Sequence, residues 1–398
     1  MKKFSMLFLA AAVALVGAIV APTKAEAIPA FARQVGVPCY SCHFQHIPKL
    51  NSFGREFKLG GFTQSAQDLI QDEGLSLPPA FGAAVVSKFR FIQGSPDAAV
   101  AKYGEWNLPD EAALLAGGRV GENMGALFEF APGSLPNEKF VFSKDFGGIR
   151  GGIAAYATAD AGPGYAMELF NTGAQRNQFG IENAAATVRG SVNGPWNMGA
   201  QGLGFFAGND LFFANVGLYG PAASALGGGI NPDAGFNLSQ YIRVAVTPKV
   251  GEGMDLMVGL QMTSGETKVN NAGVDTKYKT DAMKIDAQLQ TTVSGMSLEV
   301  IANYATVKKD SVYAGGTAND LKGMDLAAML GVTKHAGLKL GYGSMDNGAA
   351  ANSTFTAFMV GGWIAFAQNV DLSLEYVSAT GDAKPFDSKM VAMLEFAF

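Results

Sequence analysis

Cys39-Tyr40-Ser41-Cys42-His43 places two thiols three residues apart and an imidazole directly after them. In this order the thiols can add to the two vinyl groups of a porphyrin while the imidazole takes the iron, the attachment chemistry of a c-type haem. The Cys-x-x-Cys spacing by itself also fits a local disulfide or a thioredoxin-like redox pair. Neither of those requires a histidine in the next position. The chain of 398 residues has 2 cysteines, both here, and 3 histidines, one of them here. The expectation is one covalent haem c, held by Cys39 and Cys42, with His43 as the proximal iron ligand.

The opposite face of the iron has no obvious occupant. No methionine lies between His43 and Pro79. His46 is the distal candidate within the segment, but if a helix runs on from His43, residues three apart share one side and cannot take opposite faces of one metal. On that geometry His46 serves a propionate or the surface instead. His335, the third histidine, falls in a short predicted turn. A methionine from elsewhere in the chain and an open sixth position are the other ways to complete the iron.

The elements that must position this pentad differ on its two sides. Before it, Met1-Lys2-Lys3, an uncharged run from Phe4 to Thr23 and Ala25-Glu26-Ala27 read as a secretory signal cleaved after Ala27. An uncleaved anchor is the other reading of that run. Residues 28 to 80 form a short, mainly helical segment, too small for a self-sufficient core, so a haem would have to supply much of it. Ile47, Leu50, Phe53 and Phe57 form a helical stripe suited to lie on a porphyrin.

The run from Ile28-Pro29-Ala30-Phe31-Ala32-Arg33-Gln34 through the pentad to Leu50-Asn51-x-Phe53-Gly54-Arg55-x-Phe57-Lys58-x-x-Gly61-Phe62 resembles the start of the fused monohaem cytochrome–porins, outer-membrane iron oxidases of iron-oxidising bacteria. The resemblance covers about thirty-five residues by motif and the remainder by architecture. It implies electron uptake from extracellular Fe(II) and delivery to a periplasmic carrier. It also implies a barrel behind the cytochrome segment.

From Phe81 the periodicity changes to two, the mark of strands with unlike faces. In Met254 to Met262 the even positions are all apolar, and in Lys284 to Gln290 the polar residues share one face. A soluble sandwich alternates in the same way. Three features select a membrane barrel instead. Met390, Ala392, Leu394, Phe396 and Phe398 give a last strand with one apolar face ending in an aromatic. Long and short connections alternate, and the strand count is even. The predicted strands are 82–94, 110–120, 122–131, 149–159, 164–172, 182–193, 196–206, 238–248, 253–264, 278–292, 297–308, 321–333, 337–345, 354–366, 370–380 and 388–398. The run Leu211 to Tyr219 also alternates, but counting it breaks the even number, so 207–237 is assigned to one long loop.

The expected fold is thus all-β: a 16-stranded antiparallel outer-membrane β-barrel over residues 81–398 with a small N-terminal, mainly helical c-type cytochrome segment plugging it from the periplasmic end. Lys88, Arg90, Lys284, Asp286 and Glu375 would face the lumen. Gly at 51 residues, aromatics at 11% and charged residues at only 16% suit strands facing outer-membrane lipid. The net charge of −5 comes with no basic cluster to suggest nucleic acid. Two functions from different classes follow: an electron relay from extracellular Fe(II) to a periplasmic carrier, and a diffusion porin gated or plugged by the haem-bearing segment or serving another redox partner. A metal-binding protein has no ligand cluster to support it.

Overall fold

The computed structural model describes residues 29–45, 49–73, 75–79, 82–95, 103–131, 136–159, 161–169, 196, 198–221, 237–271, 274–367, 369–384 and 386–398. The signal at 1–27, His46, Ile47 and the strand expected at 182–193 lie outside these residues.

Alternation of polar and apolar side chains decides the architecture. Along Ser239–Val246, burial and exposure alternate at every position. Tyr241, Arg243 and Ala245 are buried, while Ile242, Val244 and Val246 are exposed. A chain that exposes valine and buries arginine is inside out for water and correct for lipid around a polar lumen.

The strands are β1 (Ile70–Asp72), β2 (Leu75–Leu77), β3 (Ala83–Ser95), β4 (Tyr103–Gly121), β5 (Met124–Phe130), β6 (Asn137–Asp145), β7 (Arg150–Thr158), β8 (Ala200–Gly208), β9 (Phe212–Pro221) and β10 (Ser239–Val246). They continue with β11 (Asp255–Ser264), β12 (Glu266–Asn271), β13 (Val274–Lys279), β14 (Ala282–Val293), β15 (Met296–Val307), β16 (Leu321–Gly331), β17 (Ala336–Asp346), β18 (Thr354–Ala367), β19 (Val370–Thr380) and β20 (Ser388–Ala397). β1 pairs with β2 and β12 with β13 in small hairpins, and the remaining strands form one closed antiparallel barrel. Closure joins β20 to β3, from Ser388 opposite Ser95 to Ala397 opposite Val86. A closed ladder leaves no edge in the hydrocarbon, which a spanning sheet requires. The chain is a bacterial outer-membrane barrel of 16 strands.

The number agrees with expectation although the membership differs: β6 and β9 take the place of the strands expected at 164–172 and at 182–193, the latter outside the described residues. Of the strand expected at 164–172, the described residues 164–169 form none: Pro163–Tyr165 is a 3-10 turn, and Tyr165, Ala166, Met167, Glu168 and Leu169 are all buried, without alternation. The loop expected at 207–237 instead contains β9, paired to β8 and β10. The segment 137–145, absent from the expected strands, is β6, with Lys139 and Ser143 buried on its inner face. Connections at the end where β3 begins are short, such as 294–295 and 332–335, which makes that end periplasmic.

Residues ahead of β3 fill the periplasmic half of the lumen. Two helices, α1 (Pro29–Val35) and α2 (Ser52–Leu59), flank the pentad. Phe31 stacks on Phe62 at 5.0 Å, and Phe57 meets both edge-on at 5.3 and 5.7 Å. Phe57, Leu59 and Phe62 then join Val141, Tyr156 and Tyr165 of the wall and an inward loop in one apolar cluster. The core missing from so short a segment is therefore supplied by the barrel, and the expected stripe is not one helical face: Leu50 precedes α2, and Phe57 packs on aromatics of the segment itself. The segment touches the wall on opposite sides. The Arg119 backbone N–H of β4 donates to Gln34 Oε1 at 3.1 Å, and Ser143 of β6 donates to the Leu59 carbonyl at 2.7 Å. Across the lumen Arg55 pairs with Asp255 of β11, and Gln290 of β14 donates to the Leu50 carbonyl at 3.2 Å.

Candidate functional site

The pentad is one tight turn. Cys39–Ser41 is a 3-10 turn, and the Cys39 carbonyl accepts from the Cys42 N–H at 3.0 Å and the His43 N–H at 2.9 Å. Cys39 is buried, Cys42 half-buried, and no disulfide joins them. Burial pushes the Cys42 thiol above its ordinary range. Two reduced thiols and an imidazole gathered on one turn are the donor set that a c-type haem needs, so the residues fit the group.

After His43 the chain does not continue as a helix. His43 bridges antiparallel to Leu50, the Phe44 N–H donates to the Lys49 carbonyl at 2.9 Å, and Gln45 takes a positive φ of 61° where the chain reverses. The helical geometry that would set His46 on the same side as His43 is therefore absent, and His46 itself lies outside the described residues.

Asn51 ties this hairpin to α2. Its Oδ1 caps the helix by accepting from the Gly54 N–H at 3.0 Å, its backbone N–H donates to the Cys42 carbonyl at 3.0 Å, and its Nδ2 donates to the Ser41 carbonyl at 3.0 Å. Gly54 is required beside it, because a Cβ there would lie 2.1 Å from the Cys42 carbonyl oxygen. Asn-before-helix is a legible cap signal, but its second side-chain contact, with the turn ten residues back, exists only in the tertiary structure.

The turn is seated at the periplasmic mouth. Tyr40 O–H donates to the Lys334 carbonyl at 2.6 Å, and its ring meets that of His335 edge-on at 6.4 Å. His335 thus lies on the rim beside the pentad. Gln45 donates to the Ser297 carbonyl at 2.6 Å and the Met329 carbonyl at 3.1 Å. Lys49, fully buried, lies 2.8 Å from the Met329 sulfur and 3.4 Å from Glu299, and desolvation brings its ammonium down to about 8.

A loop enters from the opposite end and meets the plug. Lys58 donates to the Glu168 carbonyl, and burial lowers this ammonium to about 8. The Glu168 carboxylate forms an ion pair with Arg243, 3.1 Å from Nε, and Arg243 grips Asp286 in two bonds of 2.8 and 2.9 Å. Lys139 and Asn215 hold the loop carbonyls of Tyr165 and Met167 at 2.6 and 2.8 Å. Of the expected lumen residues, Lys88, Lys284, Asp286 and Glu375 are buried inside the barrel, and Arg90 pairs with Asp110. The closure made by Glu168 and Arg243 was not legible beforehand, since 164–172 reads as strand.

No protein-family model matches the chain, and no curated protein sequence matches it. Its fold is similar to solved outer-membrane proteins. An anion-selective porin from Comamonas acidovorans aligns at 14% identity with a TM-score of 0.50, covering 80% of this chain and 99% of its own. OprB of Pseudomonas putida aligns at 13% identity with a TM-score of 0.51, covering 80% and 94%. The outer membrane channel DcaP of Acinetobacter baumannii aligns at 12% identity with a TM-score of 0.50, covering 80% and 98%. Likeness at these identities establishes a porin-type barrel.

Proposed function

We propose that the chain is an electron relay across the outer membrane: extracellular Fe(II) gives up one electron and leaves as Fe(III), and a periplasmic carrier gains that electron by way of one haem c on Cys39, Cys42 and His43. The supporting observation is the placement of the pentad, a half-buried turn at the periplasmic mouth held to the wall through Tyr40 and Gln45. When bound, the haem supplies the one-electron chemistry. The protein's own residues Tyr40, Gln45 and Asn51 fix the turn and present it to the periplasm. Haem-loaded protein mixed with Fe(II) at neutral pH is expected to give the reduced visible spectrum within minutes; an unchanged oxidised spectrum rejects the relay.

The likeness to channels supports a second reading, a porin gated or plugged by the N-terminal segment, and it carries no information on haem. Solute flux in liposomes separates the two. Passage of sugar-sized molecules through the intact protein favours the porin, whereas a barrel closed to sugars, in line with the contacts of Lys58, Glu168 and Arg243, favours the relay.

A further inference from the structure

A turn at the periplasmic mouth leaves an external donor separated from it by most of an apolar band about 25 Å tall. One side of the lumen bears on how that distance is crossed. Along β14, β15 and β16, five buried side-chain oxygens have no hydrogen-bond donor among the described residues; Glu299 Oε2 lies 3.4 Å from Lys49, and the other four are Asp325 Oδ2, Asn303 Oδ1, Gln288 Oε1 and Gln290 Oε1. Asn303, the most exposed of the four residues, is 7% accessible.

The amides are not free to turn over. Asn303 Nδ2 donates to Asp325 Oδ1 at 2.9 Å. Gln288 and Gln290 both donate to Glu299 Oε1, at 2.9 and 3.0 Å. Below them Gln45 of the plug repeats the pattern: its NH2 is spent on the Ser297 and Met329 carbonyls, and its Oε1 has no donor. Register sets Asn303 between Asp286 and Asp325, and Gln290 beside Glu299. Four residues of β14 separate these levels, roughly 13 Å, and Gln45 stands two residues from His43. The amide donors are thus spent on neighbouring protein groups, and the acceptors have no donor among the described residues.

The nearby charges largely cancel. Arg243 is paired to Asp286, Lys49 to Glu299, and Lys284 lies in the field of Asp286 and Asp325. What is left over is oxygen lone pairs, each costly to bury unmet, about 1–3 kcal/mol. Carboxylate, amide and water oxygens suit hard divalent cations. The described residues hold no group of three or more His, Cys, Asp or Glu that would chelate one tightly, and weak successive sites are what passage demands.

We propose that this oxygen track admits a small hydrated divalent metal cation into the lumen and leads it down to the pentad. Under the relay reading the cation is Fe(II) itself, so the electron donor is a dissolved ion and not a mineral surface or a protein. Only the identity of the cation rests on that reading; the binding does not.

The test uses the full chain in detergent micelles, with and without haem, and Mn(II) as a probe visible by electron paramagnetic resonance. Wild type is expected to withdraw Mn(II) from solution saturably. Asp325→Asn should bind about tenfold more weakly, Gln288→Met, similar in size without the acceptor, severalfold more weakly, and Glu138→Gln on the outer wall unchanged. Resistance to SDS unfolding checks that each variant is folded. Absence of Mn(II) binding by wild type, or equal binding by wild type, Asp325→Asn and Gln288→Met, overturns the proposal. So does a rate of haem reduction by Fe(II) that none of the track variants alters. Mn(II) bound through these residues in a protein whose haem does not respond to Fe(II) upholds the track and rejects the relay.

Discussion

At the scale of single residues, the haem-binding reading turns on how tightly the pentad is held. Gly54→Ala places a methyl group against the Cys42 carbonyl, and relieving an overlap of that kind typically costs about 1–3 kcal/mol. Iodoacetamide labelling of Cys42 in the haem-free chain should accelerate by about one to two decades in the variant; an unchanged rate would show that α2 does not restrain the turn. Asn51→Asp keeps the oxygen that caps α2 and loses the donor to Ser41, so it should speed labelling while leaving the helix in place. Wild-type labelling carries its own check. Burial raises the Cys42 thiol, so less of it is thiolate at neutral pH, and its rate should climb at higher pH than that of free cysteine.

At the scale of elements, plug and wall are joined through buried cations. Lys49 and Lys58 fall from 10.5 to about 8 on burial. A lowered lysine penalises docking while it stays charged in both states, below about 8, and the penalty disappears as pH rises towards 10.5, because there the withdrawn plug binds more protons than the seated one. Seating should therefore strengthen between pH 8 and 10, by at most on the order of 3 kcal/mol per lysine. Protease resistance of the plug in micelles measures this, and resistance that falls over that window contradicts it. Arg243→Ala strips partners from Asp286 and Glu168 at once, a loss of about 3–5 kcal/mol for groups this buried. Its specific outcome is faster entry of small sugars into liposomes than with wild type. The elements also show where sequence reasoning succeeds. Strands such as β10 and β16 were legible because lipid and lumen impose opposite polarity on alternate residues. Residues 164–169 were misread because a loop buried on every side has no such contrast, and β6 was missed because lumen-facing Lys139 and Ser143 look like loop residues until a wall surrounds them. Cys39, Cys42 and His43 were legible as a donor set from spacing alone, whereas the oxygens of Gln288, Gln290, Asn303 and Asp325 converge only once register is known.

For the whole molecule, the exterior is the decisive surface. Met324 and Leu326 of β16 and Leu338 and Leu340 of β17 stand exposed, and Phe358 and Val360 of β18 extend the band. Leu326→Arg should cost about 2–4 kcal/mol in urea titrations of the protein folded into vesicles. Lys322→Arg, on the same face nearer the outer end of the strand, should be close to neutral; equal costs at both positions would argue against the assigned membrane plane.

Closure of the wall through β20 and β3 also orders the steps of biogenesis. The plug immediately precedes β3 and contacts strands on both sides of the lumen, so in the folded protein the closed wall surrounds it. Maturation enzymes large enough to handle an unfolded Cys-x-x-Cys-His would find the turn wedged against the 332–335 rim once the circle is complete. Under the relay reading, haem loading then belongs to the stage before the barrel closes, and a chain that closes without haem would stay without it.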